Sequence, residues 1–387
     1  KLITGEQGLL TVVGDDDQSI YSWRGAKPQN LVLLGQDYPE LKLIKLEQNY
    51  RSTANILKAA NQLIGNNSNR LGKDLWTDGD AGEKISIYTA FNEIDEARFI
   101  AGRIAEWQKN GGSLDNVAIL YRSNAQSRLM EEALIQAKLP YRIYGGLRFF
   151  ERQEIRDALG YLRLINQQID DAAFERIVNT PTRGLGDKTL SQIRDLARDA
   201  ELSMWDASSR ILSENRLTGR ASNALSAFTK LITQLAADIK ELPLEQQADY
   251  VIKHSGLYAM YKAEKGEKAQ ARIENLEELV TACKQFVVPV EADNMTPMSA
   301  FLAHASLEAG DNQADSHQDA VQMMTIHTAK GLEFPLVFMA GVEEGMFPSQ
   351  MSNEEPGKIE EERRLCYVGM TRAMEKLYIS HAESRRL

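Results

Sequence analysis

Apolar and polar positions change their period twice along this chain. From about Gln48 to Gly146, short apolar runs alternate with stretches of helical spacing. Lys84-Ile85-Ser86-Ile87-Tyr88 and Val117-Ala118-Ile119-Leu120-Tyr121 predict short buried strands, residues 95–109 between them predict a helix, and 123–138 predict another. From about Leu147 to His317 the strand signals stop, and helical patterns such as 220–239 and 269–286 predict an all-α region. After Asp319, strands are predicted again at 320–326, 335–340 and 376–380. Strand–helix alternation implies a parallel sheet covered by helices on both faces. The simplest account is one α/β domain interrupted by a helical insertion, rejoined through a polar, mobile connector at 311–318. No internal repeat or low-complexity segment is visible.

Composition narrows the class. A length of 387 residues is too long for one core and suggests two or three domains. The chain is 43% hydrophobic and 26% charged, ordinary for a globular protein, and no apolar run approaches the length of a membrane span. The first residues lack the apolar centre of a signal peptide. Cys283 and Cys366 form neither a disulfide framework nor a zinc spacing. A cytoplasmic location is expected. The net charge of −10 argues against coating nucleic acid by bulk attraction, yet leaves room for a local groove where a few Lys/Arg contacts suffice.

The candidate chemistry begins at Leu9-Leu10-Thr11-Val12-Val13, an apolar run that predicts a buried strand. It leads into Gly14, the acids Asp15, Asp16 and Asp17, then Gln18, Tyr21, Trp23 and Arg24. Gln18 can both donate to and accept from a phosphate or a water, although a lone loop glutamine is usually solvated. Tyr21 and Trp23 are either core residues or flat rings for stacking on unpaired bases, which contributes about 1–3 kcal/mol per base. The three acids suit turn and helix-start positions, and no metal is assigned to them.

This stretch resembles motif III of the superfamily 1 DNA helicases of the UvrD/Rep/PcrA group, and further motifs follow in the family's order. Leu46-Glu47-Gln48-Asn49-Tyr50-Arg51-Ser52 resembles motif IV, Thr325-Ile326-His327-Thr328-Ala329-Lys330-Gly331-Leu332-Glu333-Phe334 resembles motif V, and residues 361–373 resemble motif VI. The resemblance implies an α/β fold with two RecA-like domains, 1A and 2A, each interrupted by an inserted domain, 1B and 2B. Residues 1–47 would then be the tail of 1A, 48–144 and 318–387 the two parts of a parallel-sheet domain 2A, and 145–317 the all-α insertion 2B.

Roles follow by the same resemblance. Gln18 would sense the γ-phosphate, Tyr50 would stack on adenine, and Arg51 and Arg372 would be arginine fingers. Glu333 would meet the ribose or couple the sites. Tyr21, Trp23, Thr325 and His327 would contact single-stranded DNA. Bland readings stand beside these: Arg51 as a surface residue near a cap at Ser52 or Thr53, His327 as an ordinary surface or core histidine. For Glu361, Glu362, Arg363 and Arg364 a salt-bridged helix face is the preferred reading. Lys330-Gly331 is not a phosphate-loop lysine, because no such loop precedes it. Pro181-Thr182-Arg183-Gly184-Leu185-Gly186 looks like a helix-hairpin-helix turn, whose Gly184 and Gly186 would let backbone N–H groups hold a duplex phosphate. A simple glycine turn between helices is an equal reading there.

The resemblance implies an ATP-dependent 3′-to-5′ helicase and single-stranded DNA translocase of repair or replication. ATP and Mg2+ would be its cofactors. Its partners would be single strands, single/double-strand junctions and accessory repair or replication proteins, and no membrane. These 387 residues contain no phosphate loop and no motif II acids, so they are expected to be the C-terminal part of a motor, inactive in hydrolysis alone, with the metal ligands elsewhere. A RecB/AddA-like helicase-nuclease is one alternative. A non-catalytic DNA-binding or partner-docking piece is the other.

Overall fold

The computed structural model describes residues 10–22, 25–27, 29–68, 70–292, 294–310, 314, 318–350, 352 and 357–385. The chain divides into two compact units, one of residues 1–146 with 314–385 and the other of residues 147–313. Most of the connector expected at 311–318 lies outside the described residues.

The first unit carries six strands: β1 (Ser86–Asn92), β2 (Val117–Tyr121), β3 (Tyr141–Ile143), β4 (Val321–Thr325), β5 (Phe334–Met339) and β6 (Ala373–Ser384). They form one sheet in the order β1-β6-β5-β2-β4-β3, and every pairing is parallel. The order interleaves strands from before and after the helical unit: Ala118 on β2 sits opposite Gln322 on β4 and Val337 on β5. The sheet therefore closes only once the chain has returned.

The centre of the sheet is buried on both faces, which is why β2 reads as a continuous apolar run. Alternate residues point to opposite sides. Ala118 and Leu120 join Ile56, Ala60, Leu365 and Val368 from helices Ala54–Ile64 and Lys358–Met370. Val117, Ile119 and Tyr121 join Ala97, Ile100, Ile104 and Leu134 from helices Glu93–Lys109 and Ser127–Gln136. Full burial of a Val, Leu or Ile stabilises by about 1.5–3 kcal/mol each, so these two clusters hold the frame on which the loops sit.

One strand expectation fails. No strand is formed at residues 10–13, and Val12 and Val13 are 47% and 88% exposed. An apolar run is a demand for burial, but a strand also needs a hydrogen-bonding neighbour, and no described segment pairs with this one. The helix cap also differs in detail. Thr53 is the N-cap of Ala54–Ile64 without a side-chain bond, while Ser52 Oγ is turned inward to the Ala373 carbonyl at 2.6 Å. Asn49 does the capping-type work instead, its Oδ1 accepting from the N–H groups of Arg51 and Ser52, both at 2.8 Å.

The described residues of the second unit form helices and no strands. Its core gathers Phe149, Ile155, Leu162, Phe174, Phe228, Leu276 and Phe301. Asp157 is buried but paired, accepting from Tyr261 Oη and from Arg176, both at 2.8 Å. None of the described helices of the chain is long and apolar enough to cross a membrane.

Candidate functional site

The acidic turn is a short 3-10 helix, Asp16–Gln18, with Asp15 as its N-cap accepting from the Asp17 N–H. The carboxylates of the three acids lie within 4.8 Å of one another. Each is already engaged. Asp15 pairs with Lys73 at 2.5 Å, Asp16 accepts from the Leu71 N–H at 2.7 Å, and Asp17 takes both arms of Arg70 at 3.0 and 2.7 Å. Those bonds explain how three acids can share one turn.

Gln18 ends this turn, its Nε2 donating to Asp15 Oδ2 at 2.7 Å. Its carbonyl accepts from Lys330 Nζ at 2.8 Å. The same ammonium lies 5.3 Å from the ring centre of Tyr21, a cation–π distance. Burial lowers the Lys330 pKa against the pull of Asp15. Tyr21 Oη donates to the His327 carbonyl at 3.1 Å, with the two rings 6.3 Å apart. Trp23 and Arg24 lie outside the described residues.

Lys330 and His327 belong to the loop that leaves β4 at Thr325 and crosses back to the start of β5. Thr325 Oγ1 closes the first turn of that loop on Thr328 Oγ1 at 2.9 Å. Gly331, at φ +93°, makes the next bend, a conformation that glycine adopts without strain. Glu333 follows and pairs with Arg51 Nε at 2.5 Å. Beside Arg51, Tyr50 is 85% exposed, its hydroxyl donating to Gln48 Oε1 at 2.8 Å.

Arg372 is placed differently. Only 2% exposed, it donates to the carbonyls of Val368 and Leu332 at 3.0 Å and to Thr371 Oγ1 at 3.2 Å. Its described hydrogen-bond partners are all neutral. Burial, then the neighbouring Arg51 charge, push its pKa down to about 10, partly offset by Glu333. Arg51 and Arg372 thus lie together beside Glu333, and Lys330 lies on the side of Arg372 that faces Asp15. Such a concentration of cations suits a phosphate chain.

Sequence reasoning set Lys330 aside because no phosphate loop precedes it, yet the structure sets it against Gln18 and Tyr21. It also passed over Arg70 and Lys73, whose only sequence signal is opposite charge to acids more than fifty positions earlier. Of the predicted helix face, Glu362 is buried and pairs with Arg122 at 2.9 Å, and Arg364 is buried beside Glu360 at 3.5 Å. Glu361 and Arg363 instead reach Ser22 and Asn67.

Gly184 and Gly186 belong to the second unit. Gly184 has φ +82°, and Gly186 is the N-cap of helix Asp187–Asp199 at an ordinary φ of −84°. Asn179 Oδ1 braces the loop by accepting from the N–H groups of Arg183 and Leu185 at 2.7 and 3.3 Å. The loop is a built turn with its apolar residue Leu185 buried at 1% exposure.

Sequence comparison identifies the class to which this interleaved parallel α/β sheet belongs. The UvrD-like helicase C-terminal domain family matches residues 44–384, and the UvrD/REP helicase N-terminal domain family matches residues 1–39. The chain therefore belongs to the UvrD-like helicases, with a RecA-like fold in its sheet unit. It is 62% identical over its whole length to "DNA helicase II" of Haemophilus influenzae and of Escherichia coli, covering 53% and 54% of those proteins. It is 44% identical, over 98% of its length and 52% of the relative's, to "ATP-dependent DNA helicase PcrA" of Bacillus subtilis. The chain spans about half the length of these relatives.

Proposed function

We propose that this chain supplies the second half of an ATP-dependent DNA helicase that translocates 3′ to 5′ on single-stranded DNA. The observation that carries the reading is the Arg51–Glu333 pair beside buried Arg372, with Lys330 near Arg372 and bonded to the Gln18 carbonyl. In this reading residues 1–47 belong to domain 1A, 48–144 with 318–387 form domain 2A, and 145–317 form the insertion 2B. The names of the relatives support helicase action on DNA, and one of them includes ATP dependence.

The residues present fit a polyphosphate and not a magnesium ion. Arg51 and Arg372 would stabilise charge as the terminal phosphate is transferred, with Tyr50 offering an exposed ring to the base and Glu333 a carboxylate to the ribose. ATP with Mg2+ supplies the driving hydrolysis, and no metal ligand is assigned to this chain. Gln18 and Lys330 would relay phosphate state to the Tyr21 segment. Tyr21, Trp23, Thr325 and His327 would hold the single strand, and the Gly184–Gly186 turn would meet duplex at a junction. Repair and replication proteins are the natural recruiting partners.

The 387 residues contain no G-x-x-x-x-G-K-[ST] sequence, so this polypeptide by itself is expected not to turn over ATP. The test is DNA-stimulated ATPase of the purified chain beside the full-length protein, with Arg372→Ala in both. Turnover in the full-length protein that requires Arg372 supports the reading. Turnover in the chain alone that this substitution abolishes overturns its expected inactivity, and a full-length protein without DNA-stimulated turnover overturns the helicase assignment.

A further inference from the structure

Ser22 lies between the two aromatic residues of the strand-contacting segment, and it is tied to a distant carboxylate. Its backbone N–H donates to Glu361 Oε1 at 3.1 Å and its Oγ to Glu361 Oε2 at 2.5 Å, across 339 residues of sequence. Both carboxylate oxygens are thus spent on one residue. Hydrogen bonds to an ionised acceptor are roughly twice as strong as neutral ones.

Glu361 stands in the first turn of helix Lys358–Met370, and that turn is itself anchored. Asn67 Nδ2 donates to the Glu360 carbonyl at 2.9 Å, Ser68 Oγ to Glu360 Oε1 at 3.0 Å, and Arg363 to Asn67 Oδ1 at 3.3 Å. Arg372 follows just beyond the far end of the same helix. Eleven residues at a helical rise put the two ends about 16 Å apart along a stiff rod. Ser22 lies in the part matched by the N-terminal helicase family and Glu361 in the part matched by the C-terminal one. The bond therefore joins the two.

We infer that Glu361 is a positioning residue that latches the Tyr21–Ser22 segment to the helix leading into Arg372, so that the position of the nucleotide-side arginine is passed to the strand-contacting aromatics. The inference rests on the helicase reading above. Glu361 touches neither nucleotide nor DNA in it. Its role is to make hydrolysis productive, not to make it fast.

The experiment uses the full-length protein and measures base pairs unwound per ATP hydrolysed, ATP turnover at saturating single-stranded DNA, and melting temperature. Glu361→Ala is expected to keep turnover within about twofold while base pairs unwound per ATP fall about tenfold, the scale of losing hydrogen bonds to a charged group. Glu361→Gln, which keeps one acceptor oxygen, is expected to fall between. Should Glu361→Ala not fold, Ser22→Ala removes only the Oγ donor and is expected to lower the same ratio by about threefold. An unchanged ratio, or a fall in ratio, turnover and melting temperature together, overturns the inference. If the wild type unwinds and Glu361→Ala matches it, this inference alone fails. If the wild type does not unwind, the helicase reading fails and takes the inference with it.

Discussion

Arg51 and Glu333, 282 residues apart, meet in a 2.5 Å ion pair at the edge of a site where a second arginine, Arg372, is buried and its described hydrogen-bond partners are all neutral. The two arginines should therefore differ in stability even if they agree in kinetics. The Arg51–Glu333 side chains are 28% and 50% exposed, and such a pair contributes about 0–1 kcal/mol. Arg51→Ala should leave denaturant stability nearly unchanged. Arg372→Ala strands the Val368 and Leu332 carbonyls and should cost about 1–3 kcal/mol. In the full-length protein both should reduce ATP turnover by about 10³-fold or more. Equal midpoints for the two variants in urea would show that Arg372 is not held as described.

The sequence pattern revealed the sheet wherever strands are buried on both faces. Val117–Tyr121 was predicted to the residue, and β4 and β5 within one position at each end. The strand Tyr141–Ile143 was missed because three residues carry too little periodicity. The run at 9–13 misled because apolar composition says nothing about which neighbour will pair. At the site, the sequence named candidate motif residues but not their partners. Nothing in the sequence ties Lys330 to the Gln18 carbonyl or Glu361 to Ser22, since no spacing rule spans three hundred residues. The burial of Arg372 was equally hidden, because an arginine in a polar motif reads as exposed.

Gly160 tests the packing of the helical unit. It sits inside helix Gln153–Asn166, where alanine normally stabilises by about 1 kcal/mol. An added Cβ would lie 2.7 Å from Ile177 Cγ2, and Ile177 is fully buried and branched at its Cβ. Overpacking of this kind costs about 1–3 kcal/mol. Gly160→Ala should therefore lower the melting temperature, and a rise would mean that the helices can separate without cost.

Asp319 marks the return of the chain to the sheet and gives a pH signature. Burial raises its pKa, but bonds from Ser113 Oγ at 2.5 Å and the Asp115 N–H at 2.8 Å outweigh this and hold it below the usual carboxylate value. A carboxylate depressed in the folded state binds fewer protons than in the unfolded chain. Its contribution is thus present above the ordinary aspartate pKa and is lost as pH falls through the depressed value. Asp319→Asn should flatten that acid-side slope while leaving the rest of the melting curve against pH in place. The effect will be small, since the group is largely exposed. An unchanged slope would show that these bonds do not favour the ionised form.

Gly186 separates a structural turn from a duplex contact more cleanly than Gly184 can. At Gly184 the φ of +82° strains any other residue, so lost activity there would carry no information about DNA. At Gly186 the φ is −84°, and an added Cβ meets nothing within 4 Å. Gly186→Ala should still fold, with a loss of no more than about 1 kcal/mol, because alanine is a poorer N-cap than glycine. A methyl group at this N-cap would nevertheless stand where a phosphate must approach the backbone. If the turn grips duplex, Gly186→Ala and still more Gly186→Val should weaken binding to a single/double-strand junction and slow unwinding. Translocation on single strands and the ATP turnover it stimulates should stay intact. Junction affinity measured by fluorescence anisotropy, beside single-strand affinity for the same variants, decides the matter. Equal junction affinity in wild type and Gly186→Val would return this turn to the role of a simple connection between helices.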